Sequence, residues 1–223
     1  QVMGPAFANT NRTNGDLKAA VLASTFAMTG IAWPFFSFFI VMAEPIILFL
    51  FGDQWMESVP LLKVASGASI LLFSCSLTER VLISRGKANR FAYLYTAQLA
   101  IMILLVLIAS SYSLYAVVWA IFIERAARVL LQARELKKEI QIKFSEYLPV
   151  LTKGSLVAVI SMIPPLFFQL NIEKGIPIFF ELLLTGFLSF CFWLAAVYLV
   201  NHPLSREINR ANNFIMDKIR SHI

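Results

Sequence analysis

Apolar runs of about 20 residues recur six times along this chain, each closed by a short joint carrying Pro, Gly, Asn or charge. A helix of that length reaches about 30 Å, the thickness of a bilayer's hydrocarbon layer, whereas a barrel strand needs only about 10 residues. Backbone in lipid must satisfy its own N–H and C=O groups, so runs this long cross as helices. With 59% hydrophobic and 14% charged residues, the 223-residue chain has too little polar surface to cover a water-soluble globule. The predicted fold is therefore all-α and integral to a membrane, a six-helix transmembrane bundle.

Residues 1–16 close a preceding segment and form a polar joint, residues 17–200 hold the six spans, and residues 201–223 form a tail. The chain opens at Gln1 on what resembles the last turn of an earlier segment, which suggests a fragment of a longer protein. The first span, Leu17 to Ala43, should kink at Trp33-Pro34, and its Ser24, Thr25, Thr29 and Gly30 suit close contact with, and hydrogen bonds to, neighbouring helices. At Glu44-Pro45 the chain should bend, because proline lacks an N–H and disfavours helix at the residue before it. Ile46 to Phe51 is then a brief interfacial helix ended by Gly52, with Asp53, Gln54 and Glu57 in water and Trp55 at headgroup level.

The second span, Ser58 to Ile83, aligns Lys63, Ser66, Gly67, Ser74 and Thr78 in a polar stripe expected to face inward. The small residues suit packing, whereas Lys63 either snorkels outward or faces a solvated cavity. The third span is Phe91 to Ala109. The fourth starts near Leu114 and, at about 20 residues, carries Glu124, Arg125 and Arg128 to membrane depth, where Glu124 and Arg128 are spaced to pair. Those charges either face a cavity or end a shorter crossing. Gln132 to Ser145 is a charged joint. The fifth span, Tyr147 to Leu170, has Lys153 near its start and a break at Pro164-Pro165; the sixth is Ile176 to Val200.

Basic residues cluster in the first joint (Arg12, Lys18), after the second span, after the fourth and in the tail, while the alternate joints hold almost none. By the positive-inside rule these four connections are cytoplasmic and six crossings alternate without contradiction. A formal charge of +6 thus sets topology and attracts anionic lipid rather than nucleic acid. In the tail, Leu204, Ile208, Ala211, Ile215 and Ile219 share one face of a basic helix expected to lie on the membrane surface. Asn11-Arg12-Thr13 matches a glycosylation sequon that chance alone explains.

No constellation for enzyme chemistry stands out. The histidines, His202 and His222, lie in the tail, and Cys75 and Cys191 lie inside spans, so neither a metal site, a disulfide framework nor a cofactor is expected. Proline-broken spans and charges at membrane depth suit a transporter, whose irregular backbone and charge line a solvated cavity. The candidate cavity residues are Lys63, Glu124, Arg125, Arg128 and Lys153.

Ala43 to Val64, AEPIILFLFGDQWMESVPLLKV, resembles the segment of Wzx-like polysaccharide transporters (the PST group of the MOP superfamily) in which a span ends in an LFG turn followed by a Trp. Gly4-Pro5-Ala6-Phe7 before Gly15-Asp16, Gly86-Lys87, and Phe144 to Lys153 extend the likeness over nearly the whole chain. A similar turn occurs in peptidoglycan-precursor flippases of that superfamily. The resemblance implies one lobe, the second, of a MATE-like fold, with the N-terminal lobe missing. It implies translocation of undecaprenyl-diphosphate-linked oligosaccharide across the bacterial inner membrane, for O-antigen, capsule or exopolysaccharide synthesis, with membrane lipids and a polysaccharide polymerase as neighbours. A drug or cation antiporter of the superfamily and a membrane scaffold for glycan assembly are the competing readings.

Overall fold

The computed structural model describes residues 14–74, 77–171, 177–205 and 209, with backbone alone at 14–16 and 171. Residues 1–13 with their sequon, Cys75, and nearly all of the expected surface tail lie outside these.

Helix α1 (Asn14–Val41) begins inside what the sequence suggested was a joint and contains Pro34. Leu17, Val21, Thr25 and Thr29 are buried along one stripe, so its first half faces protein as expected. The threonine hydroxyls donate to carbonyls one turn back, Thr25 to Val21 and Thr29 to Thr25, rather than across helices. Small size is what counts there: a Cβ at Gly154 would lie 3.2 Å from the Thr29 side chain, so these two helices already touch.

After the buried bend at Met42 comes α2 (Ala43–Phe51), with Pro45 in its first turn, where its missing N–H costs nothing. Gly52 stops it at φ 82°, a backbone that favours glycine. A 3₁₀ turn over Asp53–Ser58 keeps Asp53, Gln54, Trp55 and Glu57 exposed. Then follow α3 (Val59–Ser74), α4 (Thr78–Ser84), α5 (Ala88–Ser110) and α6 (Leu114–Ile140). The last three are α7 (Phe144–Ser161), α8 (Ile163–Asn171) and α9 (Ile178–Leu199). The break expected at Pro164-Pro165 falls at Met162, two residues before the first of them, which puts both prolines in the first turn of α8, where a missing N–H costs nothing.

The expected joint from Gln132 to Ser145 is corrected: α6 is a continuous helix of 27 residues, about 40 Å, that ends only at Ile140, with Gln141 left-handed at φ 53°. Its charged second half is held by ion pairs to the start of α5, Lys87 to Glu139 at 2.7 Å and Arg90 to Glu135 at 2.8 Å. Five helical units are long and apolar enough to span a membrane: 17–41, 53–84, 88–110, 144–170 and 178–199. Among the long helices α6 is the one whose charge keeps it out of that set.

Helix α1 packs on α3 and α7; α3 carries α6, which carries α5; α7 carries α9. No strand occurs among the described residues. At one end Leu17, Val21, Leu77, Val81, Leu136 and Ile140 form a buried cluster, and at the other Ala43, Ile47 and Val59 form a second. Joints expected on one membrane side meet at one end. Lys18 pairs with Glu146 at 2.6 Å, beside the two α5–α6 pairs, and Lys153 donates to the Asn201 carbonyl at 3.0 Å. At the opposite end Tyr115 donates to the Glu57 carbonyl at 2.9 Å, and Gln169 donates to that of Val41.

Candidate functional site

A groove of about 1140 Å³ lies between α1, α3, α6 and α7. It runs from the basic end of the bundle to Trp33 and Ser37 in the second half of α1. Its walls are apolar, with Ile70 and Leu71 on α3, Leu130 on α6, and Leu151 and Val159 on α7. Trp33 is fixed by an indole N–H donated to the Ile70 carbonyl at 3.1 Å, and the Tyr147 hydroxyl donates to that of Ser74. The charged residues of the lining are Arg134 and Lys137, both exposed at the mouth. They stand one turn apart on α6, and neither makes an ion pair among the described residues. An apolar channel with unpaired cations at its mouth is complementary to an amphiphile with an anionic head.

The groove lining includes none of the five sequence candidates, and the structure does not bring them to one place. Lys63 is exposed, so the stripe on α3 divides: Ser66, Ser74 and Thr78 are buried, Gly67 meets Phe122 of α6, and Lys63 stands outside. Glu124 is 4% exposed on α6 and accepts from Arg128 at 2.6 and 2.8 Å, the pairing expected from their spacing. Its second oxygen, Oε2, has the Arg125 guanidinium 3.8 Å away and no hydrogen bond. Lys153 points from α7 toward α9, where its donation to the Asn201 carbonyl caps the C-terminal end of that helix, a place that favours positive charge.

A second chamber, about 370 Å³, occupies the other flank of α6, enclosed with α3, α4 and α5. Its lining is mixed, apolar side chains such as Leu72, Phe73 and Leu94 standing beside Arg128, Gln98, Gln132 and Glu135. The Gln132 Oε1 is shielded from solvent without a hydrogen bond, which costs about 1–3 kcal/mol unless something fills the chamber.

Sequence reasoning passed over Arg134 and Lys137 by counting them as topology charge. A signal was present, because Ala127, Leu130, Arg134 and Lys137 recur at helical spacing on one face. It also left His202 without a role. His202 is fully buried, edge-on to Phe26 with centroids 5.5 Å apart, and its Nδ1 accepts from the Leu204 N–H at 3.3 Å. Burial, with the nearby Lys153 charge as a smaller cause, pushes its pKa down to about 4. Leu204, expected on the membrane-facing side of the tail, packs instead with Val157, Ala196 and Val197.

A family model described as "Polysaccharide biosynthesis protein" matches residues 1–60. That stretch takes in α1, α2 and the Gly52 turn, and the match fits the polysaccharide-transporter resemblance. Neither the curated proteins nor the solved structures give a match. The chain is a multi-pass membrane protein with a role in polysaccharide biosynthesis or export.

Proposed function

Taking that role as the premise, we propose that this chain is the C-terminal lobe of a flippase. Its cargo is undecaprenyl-diphosphate-linked oligosaccharide, carried by alternating access from the inner to the outer leaflet of a bacterial inner membrane. The observation that carries this reading is the groove: a long apolar channel whose lining charges are two cations at one end. A polyprenyl chain gains by leaving water along such a wall, and a diphosphate gains by meeting Arg134 and Lys137 where the channel opens. The basic end is the cytoplasmic end by the positive-inside rule, the side on which such a lipid is assembled. A cation antiporter would need carboxylates in the same place, and among the described residues the groove lining has none.

In this reading the Glu124–Arg128 pair lets α6 carry charge through the membrane beside the groove, and Lys63, exposed outside it, has no part in holding the cargo. The test is complementation. In a strain deleted for the gene, Arg134→Gln/Lys137→Gln should lower surface polysaccharide by about tenfold or more at unchanged protein level, with the lipid-linked precursor accumulating inside. Full export by the double variant would remove the groove from the transport route.

A further inference from the structure

The mixed chamber on the far flank of α6 has no part in the groove's lipid site as read above, yet it meets the groove. Leu131 and Arg134 line both. At 100° per residue, Leu130, Ala133 and Lys137 turn toward the groove, Arg128, Gln132 and Glu135 turn toward the chamber, and Arg134 stands between. An extended molecule reaching from one to the other passes along Leu131 and that guanidinium.

The chemistry of the chamber is mixed in a specific way. Gln98 and Gln132 each offer a donor and an acceptor, Glu79 and Glu135 accept, and Arg128, Arg134 and Lys138 donate. The rings of Phe91 and Tyr95 lie on the α5 wall with centroids 5.7 Å apart. A bare phosphate wants donors alone, whereas here Glu79 and Glu135 stand among the cations, Lys138 lying 3.9 Å from Glu135. A sugar wants both kinds of partner for its hydroxyls and an apolar surface for its C–H faces. The unsatisfied Gln132 Oε1 needs a donor, which a sugar hydroxyl supplies and a phosphate diester does not.

We propose that this chamber is a sugar subsite: the saccharide unit next to the diphosphate sits among Gln98, Gln132 and Tyr95, the diphosphate lies at Arg134, and the prenyl chain lies in the groove. The order groove, Arg134, chamber repeats the covalent order lipid, diphosphate, sugar. The placement rests on the flippase reading, and the test separates the two.

Binding of two probes to the full chain in lipid nanodiscs is measured: undecaprenyl diphosphate, and undecaprenyl diphosphate carrying one hexosamine. The unsubstituted protein is expected to bind the sugar-bearing probe at least about tenfold more tightly, a difference of about 1.4 kcal/mol. Gln98→Leu/Gln132→Leu should abolish that preference and leave undecaprenyl diphosphate binding within about twofold, while Arg134→Gln weakens both probes. If the double variant does not fold, Tyr95→Ala, at an exposed position, should reduce the preference by itself. Equal binding of both probes by the unsubstituted protein, or a preference that survives these substitutions, overturns the subsite and leaves the flippase reading intact. Binding of neither probe overturns both.

Discussion

Gly30 should be the least replaceable glycine in α1, and the geometry gives the size of the effect. A methyl group there would lie 2.6 Å from His202 Cε1, 2.7 Å from Leu204 Cδ1 and 3.0 Å from His202 Nε2. Carbon atoms rest at about 3.5–4.0 Å, so each of the two closest approaches falls roughly an ångström inside contact. The imidazole cannot swing away, because it is fully buried and held edge-on against Phe26. The Gly30 carbonyl is fixed too, accepting from the Trp193 indole at 2.7 Å. Overpacking of this kind costs about 1–3 kcal/mol, and the site lies at the upper end. Helix propensity works in the other direction, since alanine is favoured over glycine by about 1 kcal/mol. The net loss for Gly30→Ala is roughly 2 kcal/mol, which lowers the thermal midpoint of a chain this size by about 4–8 °C. Gly186→Ala is the control, because its methyl would meet nothing nearer than Phe38 Cζ at 4.0 Å and should be neutral or slightly stabilising. Thermal unfolding of the detergent-solubilised protein reads both, and adding His202→Ala should recover part of the Gly30→Ala loss. A Gly30→Ala midpoint within a degree of the parent, or an equal drop in Gly186→Ala, would refute the reasoning.

Two further outcomes follow from buried charge. The His202 pKa falls from 6.5 unfolded to about 4 folded, so the stability it contributes is complete above pH 6.5 and is lost as pH drops toward 4, by up to roughly 3 kcal/mol. A thermal midpoint measured against pH should decline over that window in the parent and decline less in His202→Gln. In the Glu124–Arg128 pair, where the side chains are 3% and 13% exposed, Glu124→Leu alone should cost about 3–5 kcal/mol by leaving Arg128 buried and uncompensated. Glu124→Leu/Arg128→Leu should be milder, and a double variant worse than the single would mean that Arg125 or solvent already balances the charge.

What could be read in the residues was what local sterics decide. The bend at Met42 just ahead of Glu44-Pro45, the stop at Gly52 and the break before Pro164-Pro165 follow from a missing N–H or an absent Cβ, and neither depends on what packs nearby. The buried stripe of α1 followed from periodicity. The second half of α6 did not, because Gln132 to Ile140 is polar enough to suggest a joint, and its helix is held by partners on α5, 45 and 52 residues away in sequence. Lys63 and Lys153 show the same limit. Their depth followed from counting, whereas their facing is set by which helices α3 and α7 touch, and that placed one outside the bundle and the other on the end of α9. The candidate site was the least legible part, since Arg134 and Lys137 become a mouth only when α7 stands opposite α6.

The inter-helix ion pairs also say how this groove can change width. Lys87–Glu139 and Arg90–Glu135 bind α5 to α6, and Lys18–Glu146 binds α1 to α7, so among the described residues each ion pair between helices stays within one wall of the groove. Where α1 meets the end of α6 the contact is apolar, Leu17 and Val21 against Leu136, Ile140 and Ile142, while the hydrogen bonds of Trp33 and Tyr147 tie α1 and α7 to α3. Apolar contact has no preferred direction and changes roughly in proportion to the area moved, whereas an ion pair lost in a poorly solvated place costs several kcal/mol at once. Separating α6 from α7 therefore exposes graded apolar surface and breaks no ion pair. This suits a groove that must admit and release a long hydrocarbon chain, and it places the resistance to opening in the Leu17 cluster at the basic end rather than in the charges around it.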